Sequence, residues 1–330
     1  MTRNLTVSAE SWPIAGAFTI SRGSRTEARV CVASIQDGAF TGRGECVPYA
    51  RYGETVESVI SQIEGAAEAI SRGAGRSDLL TLMPAGAARN AVDCALWDFE
   101  AKKAGRRVWA LAGLPEPRPT VTAYTLSLDM PEAMEAAAAR ASGRPLLKVK
   151  LGGGGDPERI AAVRRGAPGA TLIADANEGW DEGSLEANFA ACHAAGVTLV
   201  EQPLQAGKDS LLADLGAARH GIAVCADESL HTAADLDRIA PFYQAINIKL
   251  DKTGGLTAAI DLFRQARDHG LGIMIGCMVG SSLAMAPAML LASGADYADL
   301  DGPLLLAKDR DPGLVFEGSV MQPFGPELWG

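Results

Sequence analysis

The stretch PLLKVKL at residues 145–151 is followed at regular steps by ATLIAD (170–175), VTLVE (197–201), IAVCAD (222–227) and AINIKL (245–250). The same kind of run precedes it as VTAYTL (121–126) and closes the series as LGIMIGC (271–277) and ADYADLD (295–301). These runs are rich in Val, Ile and Leu, as is typical of parallel strands covered by helices on one side and packed inside a barrel on the other. Eight such runs predict a closed barrel of parallel strands.

Stretches of helical character separate the runs. DPERIAAVRRGA has Pro157 near its start, SLEANFAACHAAG has Gly196 just past its helical residues, and TAAIDLFRQARDHG ends at Gly270. Proline in the first turn and glycine after the last are ordinary signals for the start and the end of a helix. The alternation predicts an α/β fold, a (β/α)7β TIM-type barrel, with a helix after each strand.

The flanks of the barrel follow other patterns. Residues 1–36 alternate in the manner of strands, and residues 54–112 are patterned as helices. LPEPRP at 114–119 breaks any helix, and the tail from 305 is interrupted by Pro and Gly. We therefore expect an α+β capping domain at 1–117, the barrel at 118–304, and a tail at 305–330 that returns to complete the capping domain.

Composition argues against several classes of function. The 330 residues are 48% hydrophobic and 21% charged, with no apolar run near the roughly 18 residues of a membrane span. The start carries no signal-peptide pattern, so we expect a cytoplasmic protein without a membrane partner. A net charge of −10 disfavours nucleic acid. Six cysteines without a CxxC pair argue against a zinc knot or a disulfide framework.

Polar side chains stand at the carboxyl ends of seven of these runs, one βα unit apart: Lys150, Asp175, Glu201, Asp227, Lys249, Cys277 and Asp299. They should arrive at one end of the barrel, the end at which such barrels carry their active sites. Asp175, Glu201 and Asp227 follow adjacent strands, where their charges would repel one another without a cation. Oxygen ligands without His or Cys favour Mg²⁺, with Mn²⁺ left open, over zinc.

Lysines flank this predicted metal site. Lys148 and Lys150 share one face of their strand, which in a barrel is the interior. Burial there should lower their pKa values, as a general base requires. Lys249 lies four units further round, roughly opposite, so one lysine could remove a proton while the other returns one to the far face. That arrangement would invert a stereocentre.

The motifs KVK (148–150), DANEGW (175–180), EQPL (201–204), ADES (226–229) and INIKLDKTGGL (246–256) resemble the enolase superfamily in its muconate-lactonizing subgroup. The likeness runs over essentially the whole chain. It implies that Lys150 and Lys249 are the acid/base pair and that Lys148 supports the enolate oxygens, with Mg²⁺ on the three acids. It also implies that Asn177 and Glu228 assist the metal ligands.

The last predicted strand bears on the substrate. Asp299 and Asp301 place two further carboxylates on one face, which calls for a cationic partner such as the α-ammonium of a dipeptide. The pair resembles the Asp-x-Asp of Ala-Glu epimerases. By the same resemblance Arg25, in the predicted mobile loop SRGSRT (21–26), meets a glutamyl carboxylate. PYARYG (48–53) resembles the second mobile loop, while Thr125, Cys277 and Met278 are expected to contact the substrate.

These features predict an isomerase, a dipeptide epimerase that moves a proton at the α-carbon of the C-terminal residue. The resemblance implies L-Ala-D/L-Glu as substrate and murein peptide recycling as the role. Sister activities stay open: N-acylamino-acid racemase, o-succinylbenzoate synthase and cycloisomerase. A barrel that binds a small ligand without catalysis is the alternative from another class. Whether the chain forms a homo-oligomer is also left open.

Overall fold

A three-stranded antiparallel sheet with helices on one side begins the chain in the computed structural model, which describes residues 3–213 and 215–330. The strands are β1 (Asn4–Ile20), β2 (Gly23–Asp37) and β3 (Phe40–Cys46). The helices are α1 (Val56–Gly65), α2 (Ala67–Ser71), α3 (Arg76–Leu82), α4 (Ala87–Ala104) and α5 (Val108–Leu111). We call β1–β3 and α1–α5, with their connections, the cap. One short 3-10 helix, Ala50–Tyr52, follows β3.

Helix α4 is buried along most of its length because it packs against the cap sheet on one side and against the barrel on the other. Strand β3 crosses it at two glycines. A Cβ atom on Gly42 would lie 2.3 Å from the backbone oxygen of Ala95, and one on Gly44 would lie 2.2 Å from that of Ala91. Only glycine allows a strand and a helix to approach so closely.

Eight parallel strands form the barrel, after the short strand β4 (Thr120–Val121). They are β5 (Tyr124–Leu126), β6 (Leu146–Lys150), β7 (Thr171–Asp175), β8 (Val197–Glu201), β9 (Ala223–Ala226), β10 (Ala245–Lys249), β11 (Gly272–Gly276) and β12 (Tyr297–Asp299). Their order in the sheet is their order in the chain. The backbone N–H of Ala123 donates to the Ala298 oxygen at 2.8 Å and brings the two edges together. The predicted α/β barrel is confirmed.

The connections are less regular than predicted. The barrel helices are α6 (Pro131–Arg140), α7 (Asp156–Gly166), α8 (Glu182–Ala194), α9 (Leu236–Ile239), α10 (Leu250–Thr253), α11 (Leu256–Asp268), α12 (Ser282–Ala292) and α13 (Gly302–Leu305). After β8 the described residues form only 3-10 turns, Asp209–Leu212 and Gly216–Arg219, and another such turn, Ala233–Asp235, precedes α9. A helix after every strand was therefore wrong for β8. Gly207 and Gly216, both at positive φ, interrupt that connection.

The last part of the chain contacts both the strand that precedes the barrel and the cap. Strands β13 (Phe316–Glu317) and β14 (Val320–Met321) pair with β4 in a small antiparallel sheet. The predicted run 121–126 is therefore divided between two sheets. Further on, the Trp329 indole donates to the Cys94 oxygen at 3.1 Å, and Gly330 N donates to Asp98 on α4 at 2.7 Å. All six cysteines are free thiols, and no described helix has the length and apolar character of a membrane span.

Candidate active site

Three carboxylates gather where β7, β8 and β9 end. Asp175 and Glu201 are the last residues of their strands and pair in register, and Asp227 follows β9 by one residue. All three are at most 1% exposed. Parallel strands end at one edge of a barrel, and for this reason residues some 25 positions apart in sequence lie side by side.

Lys148 lies among these acids. Its Nζ is 2.6 Å from Glu201 Oε2, 2.7 Å from Asp299 Oδ2 and 3.1 Å from Asp175 Oδ2. Burial opposes its charge, but Asp299, Glu201 and Asp175 outweigh burial and hold the pKa of Lys148 well above its ordinary value. Lys148 is therefore a fixed cation in this structure.

Lys150 and Lys249 are the two remaining strand-end lysines. Lys150 Nζ donates to Asp175 Oδ2 and Lys249 Nζ to Asp227 Oδ2, each at 2.7 Å. Their strands, β6 and β10, are four positions apart in a sheet of eight, so they stand on opposite sides of the barrel. Both lysines line one cavity of about 410 Å³ between the barrel and the cap. The predicted opposition of two amines across one space is thus present.

The direction predicted for the pKa of Lys148 was wrong, and Lys249, for which no shift was predicted, also has a raised pKa. Burial lowers the pKa of Lys249, but Asp227 and Glu201 outweigh it and raise that pKa well above its ordinary value. The sequence argument counted the desolvation of the ammonium groups and left out the carboxylates that pair with them.

Of these three acids only Glu201 has the raised pKa that mutual repulsion predicts. Burial, followed by the charge of Asp175, raises the pKa of Glu201 to about 8. Burial also disfavours ionisation of Asp175, yet Lys150 and Lys148 outweigh it and lower that pKa. The pKa of Asp227 is lowered well below its ordinary value, because Lys249 and Lys252 outweigh burial.

The donor chemistry of this cluster fits a hard divalent cation. Three buried carboxylates offer oxygen ligands only. Glu201 Oε2 lies close to Lys148 but makes no hydrogen bond of good geometry with any residue in 3–213 or 215–330. In the structure the acids are turned onto ammonium groups. Among the described residues no three acidic, histidine or cysteine side chains converge as a preformed metal cage. The assignment of Asp175, Glu201 and Asp227 as ligands stays a prediction.

Two residues that the sequence analysis did not single out support these acids. Asn247 donates from Nδ2 to Glu201 Oε1 at 2.7 Å. Lys252, 1% exposed, donates to Asp227 Oδ1 and to the Asp227 backbone oxygen, at 2.6 Å each. Asn247 lies two residues before Lys249 on the same face of β10, so the period of two could have found it.

Asn177 and Glu228 lie beside the cluster, as expected. The Asn177 N–H donates to Asp175 Oδ1 at 2.9 Å, which fixes one of that carboxylate's oxygens. Glu228 Oε1 accepts from the guanidinium of Arg22 at 2.7 Å. Glu228 is thus connected to the cap through Arg22. The position of Glu228 beside Asp227 in the sequence did not indicate this partner.

The predicted substrate contacts fall into two groups. Arg25, Cys277 and Met278 line the cavity together with the two opposed lysines. Asp299, Asp301 and Thr125 are buried outside that lining. Burial and the charge of Asp299 raise the pKa of Asp301 to about 6.

Asp299 and Asp301 have protein partners in the structure. Asp299 Oδ2 pairs with Lys148, whereas Asp299 Oδ1 is buried and has no hydrogen-bond partner among the described residues. Asp301 Oδ2 accepts from the backbone N–H of Thr125 at 2.6 Å. Their role with a substrate ammonium stays a prediction, for which Asp299 Oδ1 is the free acceptor.

Comparison with known families agrees with this geometry. A family model described as "Mandelate racemase / muconate lactonizing enzyme, N-terminal domain" matches residues 2–113, and one described as "Enolase C-terminal domain-like" matches residues 132–315. The chain belongs to the enolase superfamily. Within this superfamily it is 43% identical to the L-Ala-D/L-Glu epimerase of Escherichia coli (strain K12) over 95% of this chain and 98% of that protein.

Other members of the enolase superfamily extend the comparison. An N-acetyl-D-glutamate racemase of Pseudoalteromonas sp is 46% identical, over 91% of this chain and 94% of that protein. A crystal structure from Agrobacterium tumefaciens, of a protein with homology to dipeptide epimerases and with bound sodium and L-Ala-L-Glu, has a TM-score of 0.97 and 53% identity, covering 99% and 100% of the two chains. The dipeptide epimerase of Enterococcus faecalis V583, complexed with Mg and L-Leu-L-Tyr, has a TM-score of 0.90 and 26% identity, with 98% of each chain covered.

Proposed function

We propose that this chain is a dipeptide epimerase that inverts the α-carbon of the C-terminal residue, with L-Ala-D/L-Glu as substrate. The observation that carries the proposal is the pair Lys150 and Lys249, which face one cavity from opposite strands beside three buried carboxylates. Racemases and epimerases among the relatives support it. Recycling of murein peptides is the role that this substrate suggests.

The proton transfer needs one free amine and one ammonium. The unprotonated lysine on one side accepts the α-proton, and the electron pair of the C–H bond moves into the substrate carboxylate. The protonated lysine on the other side then donates its proton to the opposite face of the α-carbon. Lys148, whose ammonium pairs with three acids, would stabilise the negative charge that develops on the substrate carboxylate.

The three acids would hold the metal. Bound by Asp175, Glu201 and Asp227, a divalent cation would stabilise negative charge on the substrate carboxylate. We propose Mg²⁺, for which oxygen-only donors are typical, and Mn²⁺ shares this ligand preference. Asn247 and Lys252 donate hydrogen bonds to Glu201 and Asp227, so these carboxylates are oriented by the protein itself.

Recognition of the two substrate ends is assigned to different parts of the site. Asp299 and Asp301 would bind the α-ammonium of the first residue. Arg25, whose guanidinium lies 5.4 Å from the Tyr49 ring centroid on the cavity wall, would pair with the glutamyl carboxylate.

A second candidate activity is racemisation of N-acetylglutamate. The relative from Pseudoalteromonas sp, at 46% identity, favours it. An acetyl group carries no charge, so this substrate would bring no cation to Asp301 or to the free oxygen of Asp299, whose other oxygen pairs with Lys148. We therefore place it second.

Exchange with solvent deuterium tests both. The enzyme is incubated in D₂O and Mg²⁺ with L-Ala-L-Glu or N-acetyl-L-glutamate, and each product is analysed by mass spectrometry and chiral chromatography. We expect one deuteron and the D-Glu epimer from the dipeptide, with activity lost after chelation and restored by Mg²⁺. Turnover of N-acetylglutamate alone would contradict the first proposal, and no exchange with either would contradict both.

A further inference from the structure

Two arginines of the cap converge on one glutamate of the barrel. Arg51 donates from Nε to Glu178 Oε2 and from Nη2 to Glu178 Oε1, each at 2.8 Å. Arg22 Nη1 donates to the same Oε2 at 3.2 Å. The Glu178 side chain is only 8% exposed, and a two-pronged guanidinium contact of this kind is strong and directional. Glu178 thus joins two separate segments of the cap.

Arg22 extends this contact to the barrel loop after β9, which carries Glu228. Its Nη2 donates to Glu228 Oε1 at 2.7 Å and to the Tyr49 hydroxyl at 3.1 Å. Its Nη1 also donates to the backbone oxygen of Asn177 at 2.9 Å. Two guanidinium groups and two carboxylates therefore balance in one network, which we call the clasp: Arg22, Arg51, Glu178 and Glu228.

The barrel side of the clasp is held in an unusual conformation. Asn177 and Glu178 have φ values of 45° and 64°, in the left-handed region that is unfavourable for most residues other than glycine. The Glu178 N–H donates to the Gln202 oxygen at 2.9 Å, and Ala206 N donates to Glu178 Oε1 at 2.8 Å. Such a conformation persists only where its surroundings fix it. Here they aim the carboxylate at the cap.

The cap side of the clasp reaches the cavity. Arg22, Tyr49 and Arg51 all line it, and the Tyr49 ring that lies beneath Arg25 carries the hydroxyl that accepts from Arg22. We propose that Glu178 is a positioning residue that acts through Arg22 and Arg51. It holds the cap segments 21–25 and 49–53 over the cavity, and thereby places Tyr49 and Arg25 for the substrate. The kinetic part of this inference rests on the proposed function, whereas the clasp itself can be tested without substrate.

The test is Glu178→Gln in the full chain, with Glu186→Gln as control. Glu186 is exposed on α8 and has no side-chain hydrogen bond or ion pair within 3–213 and 215–330. We expect Glu178→Gln to raise KM for L-Ala-L-Glu by about 30-fold while kcat changes by less than about threefold. Backbone amides at 18–25 and 47–54 of the substrate-free variant should exchange hydrogen at least about tenfold faster. The control should match the wild type in both measurements.

A double variant separates the clasp from a general effect on structure. Arg51→Met removes the other half of the same contact, so adding it to Glu178→Gln should have little further effect on kcat/KM. Multiplied effects, a loss confined to kcat, or unchanged exchange in both segments would overturn the proposal. If Glu178→Gln does not fold, Arg51→Met must show the same KM and exchange effects. If the wild type turns over no dipeptide, the proposed function fails, and the exchange rates still decide for or against the clasp.

Discussion

Lys252 and Asp227 form a buried pair in which the ammonium donates to both the Oδ1 and the backbone oxygen of the aspartate, at 2.6 Å each. Lys249 occupies the other carboxylate oxygen, Oδ2. Both oxygens of Asp227 are therefore fixed by the protein. Asp227, which is expected to bind metal, is therefore oriented by hydrogen bonds from the protein's own lysines.

Lys252→Met should destabilise the fold. The change leaves Asp227 Oδ1 and two backbone oxygens, those of Asp227 and Asn247, without their buried donor. We expect the free energy of unfolding, measured by urea denaturation, to fall by about 2–4 kcal/mol. Lys208→Met, at an exposed position, should change it by less than about 0.5 kcal/mol. Equal effects of the two substitutions would show that the buried contacts of Lys252 contribute nothing special.

Lys150→Met and Lys249→Met should each abolish epimerisation, by about 10³-fold or more, because each removes the proton carrier from one face. In D₂O each variant should still exchange the α-hydrogen of one epimer of Ala-Glu. Lys150→Met and Lys249→Met should retain this exchange with opposite epimers. Each epimer is incubated separately with each variant, and deuterium uptake is measured by mass spectrometry. Retention of the same epimer by both would place the two lysines on one face.

Asp301→Asn tests recognition of the substrate ammonium. The amide oxygen can still accept from the Thr125 N–H, so the fold of this loop should persist while the negative charge is lost. We expect kcat/KM for L-Ala-L-Glu to fall by about 10- to 100-fold. Any turnover of N-acetyl-L-glutamate should stay within about threefold of the wild type. An equal loss with both substrates would indicate a structural role for Asp301 instead.

The buried Asp93, between α4 and α11, makes stability depend on pH. Burial raises its pKa to about 6, and its hydrogen bonds to Thr257 offset this only in part. Because the folded-state pKa exceeds that of the unfolded chain, its contribution to stability is complete below about pH 4 and is lost as the pH rises through 6. In Asp93→Asn the side chain does not ionise, so its contribution to stability does not fall as the pH rises. Relative to the wild type, we expect it to gain on the order of 1–3 kcal/mol between pH 4 and pH 8.

Urea denaturation at several pH values measures this gain. Asp261→Asn, on the exposed face of α11, provides the matched control and should show no such difference. A constant difference between Asp93→Asn and the wild type across this range would mean that Asp93 titrates in the folded state as it does in the unfolded chain.

Much of the barrel was accessible from sequence because its strands are local apolar runs. The run 121–126 was extended too far: Val121 pairs with Val320, a partner 199 residues away that no local pattern indicates. The prediction of a helix after β8 was wrong for a similar reason. The apolar spacing in SLLADL (210–215) does not reveal that the glycines on either side of it, Gly207 and Gly216, adopt positive φ. The division at 117/118 and 304/305 stays a prediction.

The site was predictable where chemistry follows strand register. Lys150 and Asp175 end adjacent strands and pair in register, so the spacing of βα units suffices to bring them together. The contact of Glu178 with Arg51 depends instead on how the cap docks onto the barrel, over 127 residues of sequence. The pKa of Lys249 also required the actual neighbours, because burial and ion pairing act on it in opposite directions.

The bare backbone of Gly42 and Gly44 places a limit on how the pocket can be remodelled. The segment that carries Tyr49 and Arg51 leaves from the end of β3, and β3 rests directly on α4 at these two residues. Even a methyl group at either glycine would force β3 away from α4, and the segment that carries Tyr49 and Arg51 would move with the strand. Substitutions intended to change specificity should therefore be tolerated around Tyr49 and Arg51 but not at Gly42 and Gly44.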